Sequence, residues 1–167
     1  MAFSDGALTL DTVEDIFSRQ HWHYEIVQEH ILTNFDGVAL LISVDEEREI
    51  VLLQAPILPG ADMPGSISAR PDAEMNACIY LLSANYRLAL GAFTRDYRDG
   101  EIRFEVNLLT LGSLLSDEQM YSAILIAVAA VTHHAPVIFA LLTSSMPLRQ
   151  ALLHLESGMG LPPAQAV

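Results

Sequence analysis

Residues 72–108, DAEMNACIYLLSANYRLALGAFTRDYRDGEIRFEVNL, decide the fold. The end of this stretch is its clearest part. Glu101, Arg103, Glu105 and Asn107 alternate with Ile102, Phe104, Val106 and Leu108. Alternation with period two puts one face of a strand on a core and the other in water. Asp99-Gly100 just before it is a strong hairpin signal, and it joins a second strand over about Ala89 to Tyr97. Upstream, Met75, Cys78, Ile79 and Leu82 fall at i, i+3, i+4 and i+7, the spacing of an apolar helix stripe. Pro71 suits that helix's first turn, where a missing N–H costs nothing. Asn85 follows as a candidate left-handed cap.

Toward the N-terminus the pattern changes from helix to strands. Asp11 with Glu14 has the spacing of a capping box, and Val13, Ile16, Phe17 and Gln20 continue it as a short amphipathic helix. Trp22, Tyr24 and Ile26 alternate with His23, Glu25 and Val27, the mark of a first strand. Asn34 to Gly37 reads as a turn. Val38 to Val44 is almost unbroken apolar sequence, which predicts a central strand covered on both faces. Asp45-Glu46-Glu47-Arg48 is a charged turn, and Glu49 to Ala55 returns as a third strand. Connections this short permit only antiparallel neighbours. Residues 55–71 carry Pro56, Pro59, Pro64 and Pro71 with Gly60 and Gly65, and so predict an irregular loop. Within it Ile57, Leu58, Met63 and Ile67 are apolar.

Toward the C-terminus the chain reads as helical. Ser116 and Gln119 make a capping box, with Asp117 and Glu118 suited to the positive end of a helix. Met120, Ala123, Ile124, Ala127 and Val131 continue the stripe. Pro136 predicts a break around residues 132–135, then a second piece to about Thr143. A third helix, capped by Ser144 or Ser145, would run to Glu156 and stop at Gly158 and Gly160. The expected architecture is α+β: one domain over residues 11–157, between a loose arm 1–10 and a tail 158–167. Its five-stranded antiparallel sheet follows the order helix, three strands, helix, two strands, helix.

Composition narrows the chemistry. The 167 residues hold twenty-one acids against eight bases, a net charge of -13, and every base is an arginine. Nucleic acid and anionic lipid are poor partners for such a field. Cys78 is the single cysteine, so an internal disulfide is impossible and a reducing, cytoplasmic setting fits. The first ten residues lack the basic and apolar regions of a secretory signal. Residues 123–143 carry no formal charge and are long enough to raise a membrane-span reading. His133, His134 and Pro136 within the segment favour a helix lying on a sheet instead.

No catalytic signature stands out. His21, His23, His30, His133, His134 and His154 match no zinc spacing, so exposed or locally bonded imidazoles are expected and no metal. Asp96, Asp99, Glu101 and Glu105 interleave with Arg95, Arg98 and Arg103, the ordinary mixed charge of a hairpin's wet face. There is no phosphate loop, no nucleophile elbow and no His-Glu-x-x-His. No cofactor is expected. An enzyme reading would need a cleft where acids converge on a histidine of strongly shifted pKa.

The element order, acidity and size together resemble the type III secretion chaperone-like fold, and within it the YbjN-type proteins. The resemblance is sharpest over Asn76 to Gln119. It rests on Asn85, the strand Gly91-Ala-Phe-Thr-Arg-Asp-Tyr, the hairpin Asp99-Gly-Glu-Ile-Arg-Phe-Glu-Val and the helix start Ser116-Asp-Glu-Gln. It implies a non-enzymatic, chaperone-like or regulatory module that binds proteins, commonly as a homodimer, with its client unspecified. The expected binding surface is Ile16, Phe17 and Trp22 with Ile57, Leu58 and Met63. These are apolar residues on segments with weak claims on a core.

Overall fold

The computed structural model describes residues 8–58 and 67–156. Met63 and the Pro59 to Pro64 stretch lie outside the described residues. Four helices and six strands follow in the order α1 (Leu10–Arg19), β1 (Tyr24–Val27), β2 (His30–Phe35), β3 (Val38–Asp45), β4 (Ile50–Leu58), α2 (Pro71–Asn85), β5 (Ala92–Arg95), β6 (Ile102–Leu109), α3 (Asp117–Leu142) and α4 (Leu148–Glu156). The strands form one antiparallel sheet in the order β1-β2-β3-β4-β6-β5. The sheet thus has six strands, not the expected five. β6 lies inside it against β4, and β5 forms the far edge.

The extra strand comes from a turn with no sequence signature. β1 and β2 pair from Val27 opposite His30, so Gln28 and Glu29 alone make the connection. Both have positive φ, 49° and 64°. A two-residue hairpin turn asks for that geometry, and Asn-Gly normally supplies it. With Gln-Glu in its place, residues 22–35 read as one strand and a gap. The next turn, Asp36-Gly37, matches expectation. Its φ values are also positive, and the Asn34 side chain accepts from the Gly37 N–H at 3.0 Å.

One face of the sheet holds the core. Ile31, Leu40, Ile42, Val51, Leu53, Ala55, Ile102, Phe104 and Val106 are buried there beneath α3. α3 turns Met120, Ala123, Ile124, Ala127, Ile138 and Leu141 inward. Its start is as expected, since Ser116 and Gln119 exchange the two bonds of a capping box. Pro136 does not break it. Pro136 and Thr132 lie on the solvent side, so the carbonyl that the proline leaves unpaired meets water. α3 is long and apolar enough to cross a bilayer, but half of its apolar window is buried in this fold.

Two other helix boundaries differ from expectation. The cap of α1 is Thr9, which exchanges bonds with Thr12, and not Asp11. Ser145 donates back to the Ala140 carbonyl at 3.1 Å instead of capping α4. The second face of the sheet is not covered by any described element. Val38 to Val44 is therefore buried on one face only: Leu40 and Ile42 are enclosed, while Ala39 is exposed and Leu41 half-exposed.

Candidate protein-interaction surface

α2 carries two apolar stripes, and the structure buries the one that the sequence pattern did not favour. Ala73, Ala77, Tyr80, Leu81 and Ala84 pack inward, toward α3 and α4. Met75, Ile79 and Leu82, the stripe expected to be core, face out, and Tyr86 just beyond continues the line. Leu82 is 71% exposed and Tyr86 92%. No charged residue occurs between Met75 and Tyr86. The small alanines on the inner side let α2 approach closely, so larger side chains are left outside. The signal was present as two overlapping helical periods of similar strength, and period alone cannot rank them.

Asn85 does not take the left-handed conformation of a cap; among the described residues the positive φ values lie elsewhere. Its amide instead receives the Phe93 N–H at 2.7 Å and donates to the Phe93 carbonyl at 2.9 Å. This is how a neighbouring strand would bond, and it occupies the outer side of the β5 edge. Among the described residues the opposite edge has no such cover. On β1, Glu25, Ile26 and Val27 are exposed. From that edge a band of apolar side chains crosses the open face: Leu32, Leu41, Leu52, Ile50 and Leu109, none of them buried.

The residues expected to bind a partner are placed otherwise. Ile16 and Phe17 are fully enclosed, and Leu58 and Ile57 are buried at 4% and 9% exposure. Burial removes these four from any surface of the folded chain. β4 continues through Pro56 to Leu58 by means of a register shift, so these loop apolars belong to a strand. Trp22 is half-buried. Its ring meets Phe17 at 5.1 Å, Phe35 at 5.4 Å and Tyr121 at 5.9 Å, and so ties α1 to the sheet and α3. Arg19 and Gln20 reinforce the join by donating to Asp117 at 2.6 and 2.7 Å. Met63 lies outside the described residues.

Among the described residues the polar groups do not assemble an acid–base site. A cleft of about 430 Å3 lies beside Arg95, Tyr97 and Arg98. Its cations are already paired, Arg95 with Glu74 at 3.2 Å and Arg98 with Asp96 at 2.6 Å. Arg98 holds the Asp96 carboxyl down at about 2. The strongly shifted histidine is elsewhere. Burial holds His134 down at about 4, and its Nδ1 lies 2.8 Å from the Tyr80 hydroxyl, itself pushed up to about 12 by burial. No carboxylate contributes to that shift. Among the described residues no three His, Cys, Asp or Glu side chains are grouped to hold a metal.

No family model matches the chain, and no curated protein matches its sequence. Solved structures match its fold. YbjN from E. coli, a proposed transcription regulator, aligns over 83% of this chain and 93% of its own, at 14% identity and a TM-score of 0.55. A chain of the HopA1–SchA chaperone–effector complex aligns over 73% and 88%, at 15% identity and 0.51. A chain of the ExsC–ExsE complex aligns over 77% and 92%, at 15% identity and 0.52. The chain therefore shares the fold of YbjN and of chains from these two complexes.

Proposed function

We propose that this protein is a non-enzymatic, chaperone-like interaction module of a reducing cytoplasm. It pairs with a second copy through α2 and holds an extended partner segment on its open sheet face. The observation that carries the reading is the outward stripe of Met75, Ile79, Leu82 and Tyr86. Apolar side chains set in a row on one helix face lose little by leaving water together. Charge supports a second copy as the occupant. At net -13, most surfaces of two such chains repel, whereas residues 75–86 bring neutral surface to neutral surface. The fold shared with a chaperone–effector complex supports a protein client. The acidic field, the β1 edge and the leucine band together favour a client segment that is extended, basic and apolar.

Light scattering on a sizing column tests the pairing. The natural chain is expected at twice 18.3 kDa, and Leu82→Glu at the monomer mass with an unchanged far-UV spectrum. A monomeric natural chain overturns the pairing. Client holding is tested separately, by the capacity to keep a reduced, unfolded basic protein in solution. Leu32→Glu combined with Leu52→Glu should abolish it, and no loss in that variant overturns the assignment to the sheet face.

A further inference from the structure

Two residues at one corner of the sheet hold a backbone conformation that their side chains disfavour. Glu49, at the end of the β3–β4 turn, has a φ of 55°, and Leu111, just beyond β6, has a φ of 49°. Glycine and asparagine take this left-handed region at least cost, and neither stands at these positions. Leu111 and Gly112 (φ 75°) are the central pair of a tight turn, closed by the Ser113 N–H on the Thr110 carbonyl at 3.0 Å. Positive φ at both central positions is the geometry that favours Asn-Gly, and here a leucine takes the asparagine's place. The two strained residues are tied together. The Thr110 N–H donates to the Glu49 carbonyl at 3.0 Å, and the Glu49 carboxylate accepts from the Gly112 N–H at 2.6 Å.

This construction holds apolar surface out to water. Leu111 is 75% exposed, and Leu109 and Leu114 on either side of it are exposed as well. A single exposed leucine is ordinary. Three in one short run, one of them against its own backbone preference, form a built lip. Leu109 lies directly opposite Ile50 in the β4–β6 register, so the lip is the far end of the band that starts at Leu32. The β3–β4 turn beside it is acidic. Arg48 is paired with Asp45 at 2.9 Å, and Glu49 is engaged by the Gly112 N–H. Glu46 and Glu47 are exposed and have no cation partner among the described residues.

We propose that this corner anchors one cationic end of the client segment. A leucine-sized client side chain seats on Leu109, Leu111 and Leu114, and a neighbouring lysine or arginine meets Glu46 and Glu47. The inference rests on the reading of the open sheet face as the client surface, and it adds a fixed end. An apolar band alone lets an extended segment slip along the pleat, because its side chains repeat at every second residue. A charged clamp beside the last apolar contact sets one register. Charge names the occupant. A second copy would bring more negative surface to Glu46 and Glu47, at net -13 for each chain. A neutral segment would cover the leucines and leave both carboxylates unused. The leucine at position 111, where asparagine would suit the backbone better, is the kind of stability that binding surfaces give up.

The probe is a fluorescein-labelled peptide of alternating leucine and serine that ends in Lys-Leu-Lys, with a twin that ends in Gln-Leu-Gln. Binding to the full chain is read by anisotropy. The lysine-ended peptide should bind about tenfold tighter than its twin. Leu111→Asn should weaken it by about tenfold while the thermal midpoint stays level or rises, because asparagine suits the left-handed position. Leu114→Ser, at a residue outside the left-handed region, should weaken it in the same direction. Glu46→Gln with Glu47→Gln should erase the preference for lysine. The same loss of charge on α1, by Asp11→Asn with Asp15→Asn, should keep it. The proposal is overturned if the natural chain does not prefer the lysine-ended peptide, if Leu111→Asn and Leu114→Ser both bind like the natural chain, or if the α1 variant loses the preference as fully as the corner variant. A fall in mass of Leu111→Asn on a sizing column would assign the corner to a contact between copies, and overturns it too. The holding assay with Leu32→Glu and Leu52→Glu separates the two failures. If that variant loses holding while the corner variants bind normally, the corner fails and the sheet-face reading stands; if it holds as well as the natural chain, the sheet-face reading itself fails.

Discussion

Tyr80 and His134 show how much a single contact can carry. Both are buried, and each is the other's polar partner at 2.8 Å. Tyr80→Phe should leave the imidazole nitrogen unpaired and cost about 1–3 kcal/mol, read as a shift in urea midpoint. The pH dependence has a definite sign. His134 takes up its proton at about 4 in the fold and near the ordinary 6.5 when unfolded, so the unfolded chain binds more protons between these values. Stability should be full above pH about 6.5 and fall as pH drops toward 4, by roughly 3 kcal/mol in all. Denaturant titrations at a series of pH values check this. The sequence carried no hint of either residue's place. Tyr80 sat between stripe positions, and His133-His134 looked equally suited to water. Gly91 is similar: its φ is 77°, and a Cβ there would lie 2.5 Å from the Phe104 ring, a constraint invisible until Phe104 is placed.

At the scale of elements, some local chemical signals hold and others do not: Thr9 caps α1 in place of Asp11, and Asn85 bonds Phe93 instead of taking a left-handed turn. The Ser116 capping box, Pro71 at the start of α2, the turn at Asp36-Gly37 and the β5–β6 hairpin all stand as expected. The other signals that failed depend on what lies opposite. The outer stripe of α2 looked like core until α3 claimed the alanine side. Pro136 sat harmlessly in a helix because its face meets solvent. The missed β1–β2 hairpin runs on a Gln28-Glu29 turn that opposes its own residues' preferences. Left-handed backbone costs a non-glycine residue about 1–2 kcal/mol. Gln28→Asn with Glu29→Gly should therefore raise stability by about 1 kcal/mol with the fold unchanged, read as a higher thermal midpoint. No gain would mean that the Gln-Glu turn is held by contacts other than its own dihedrals.

At the scale of the whole molecule, the same physics separates fold from function. The core is legible because burial is periodic. Four of the residues expected on a binding surface are enclosed, because an apolar residue on a short or irregular segment looks available when it is not. Ile16, Phe17, Ile57 and Leu58 are inside, while the residues left outside sit on the best-patterned helix. Net charge sets a further expectation. Two chains at -13 each repel across a dimer even when the contact itself is neutral. Raising salt from about 20 to about 300 mM shortens the reach of that repulsion and should tighten the proposed α2 dimer, measured as a lower dissociation constant by ultracentrifugation.

The amide of Asn85 against Phe93 has a consequence for valence. A sheet with two open edges can be extended from either end and grow into a filament without limit. With the β5 edge occupied at Phe93, β1 is the edge left open among the described residues. A join of β1 to β1 is two-fold and uses up both free edges at once, so it terminates. Asn85, together with the α2 flank that holds Arg95 through Glu74, thereby limits any such assembly to two sheets. Asn85→Ala would restore the second edge, and the change should appear as concentration-dependent fibres in which the natural chain stops at a discrete size.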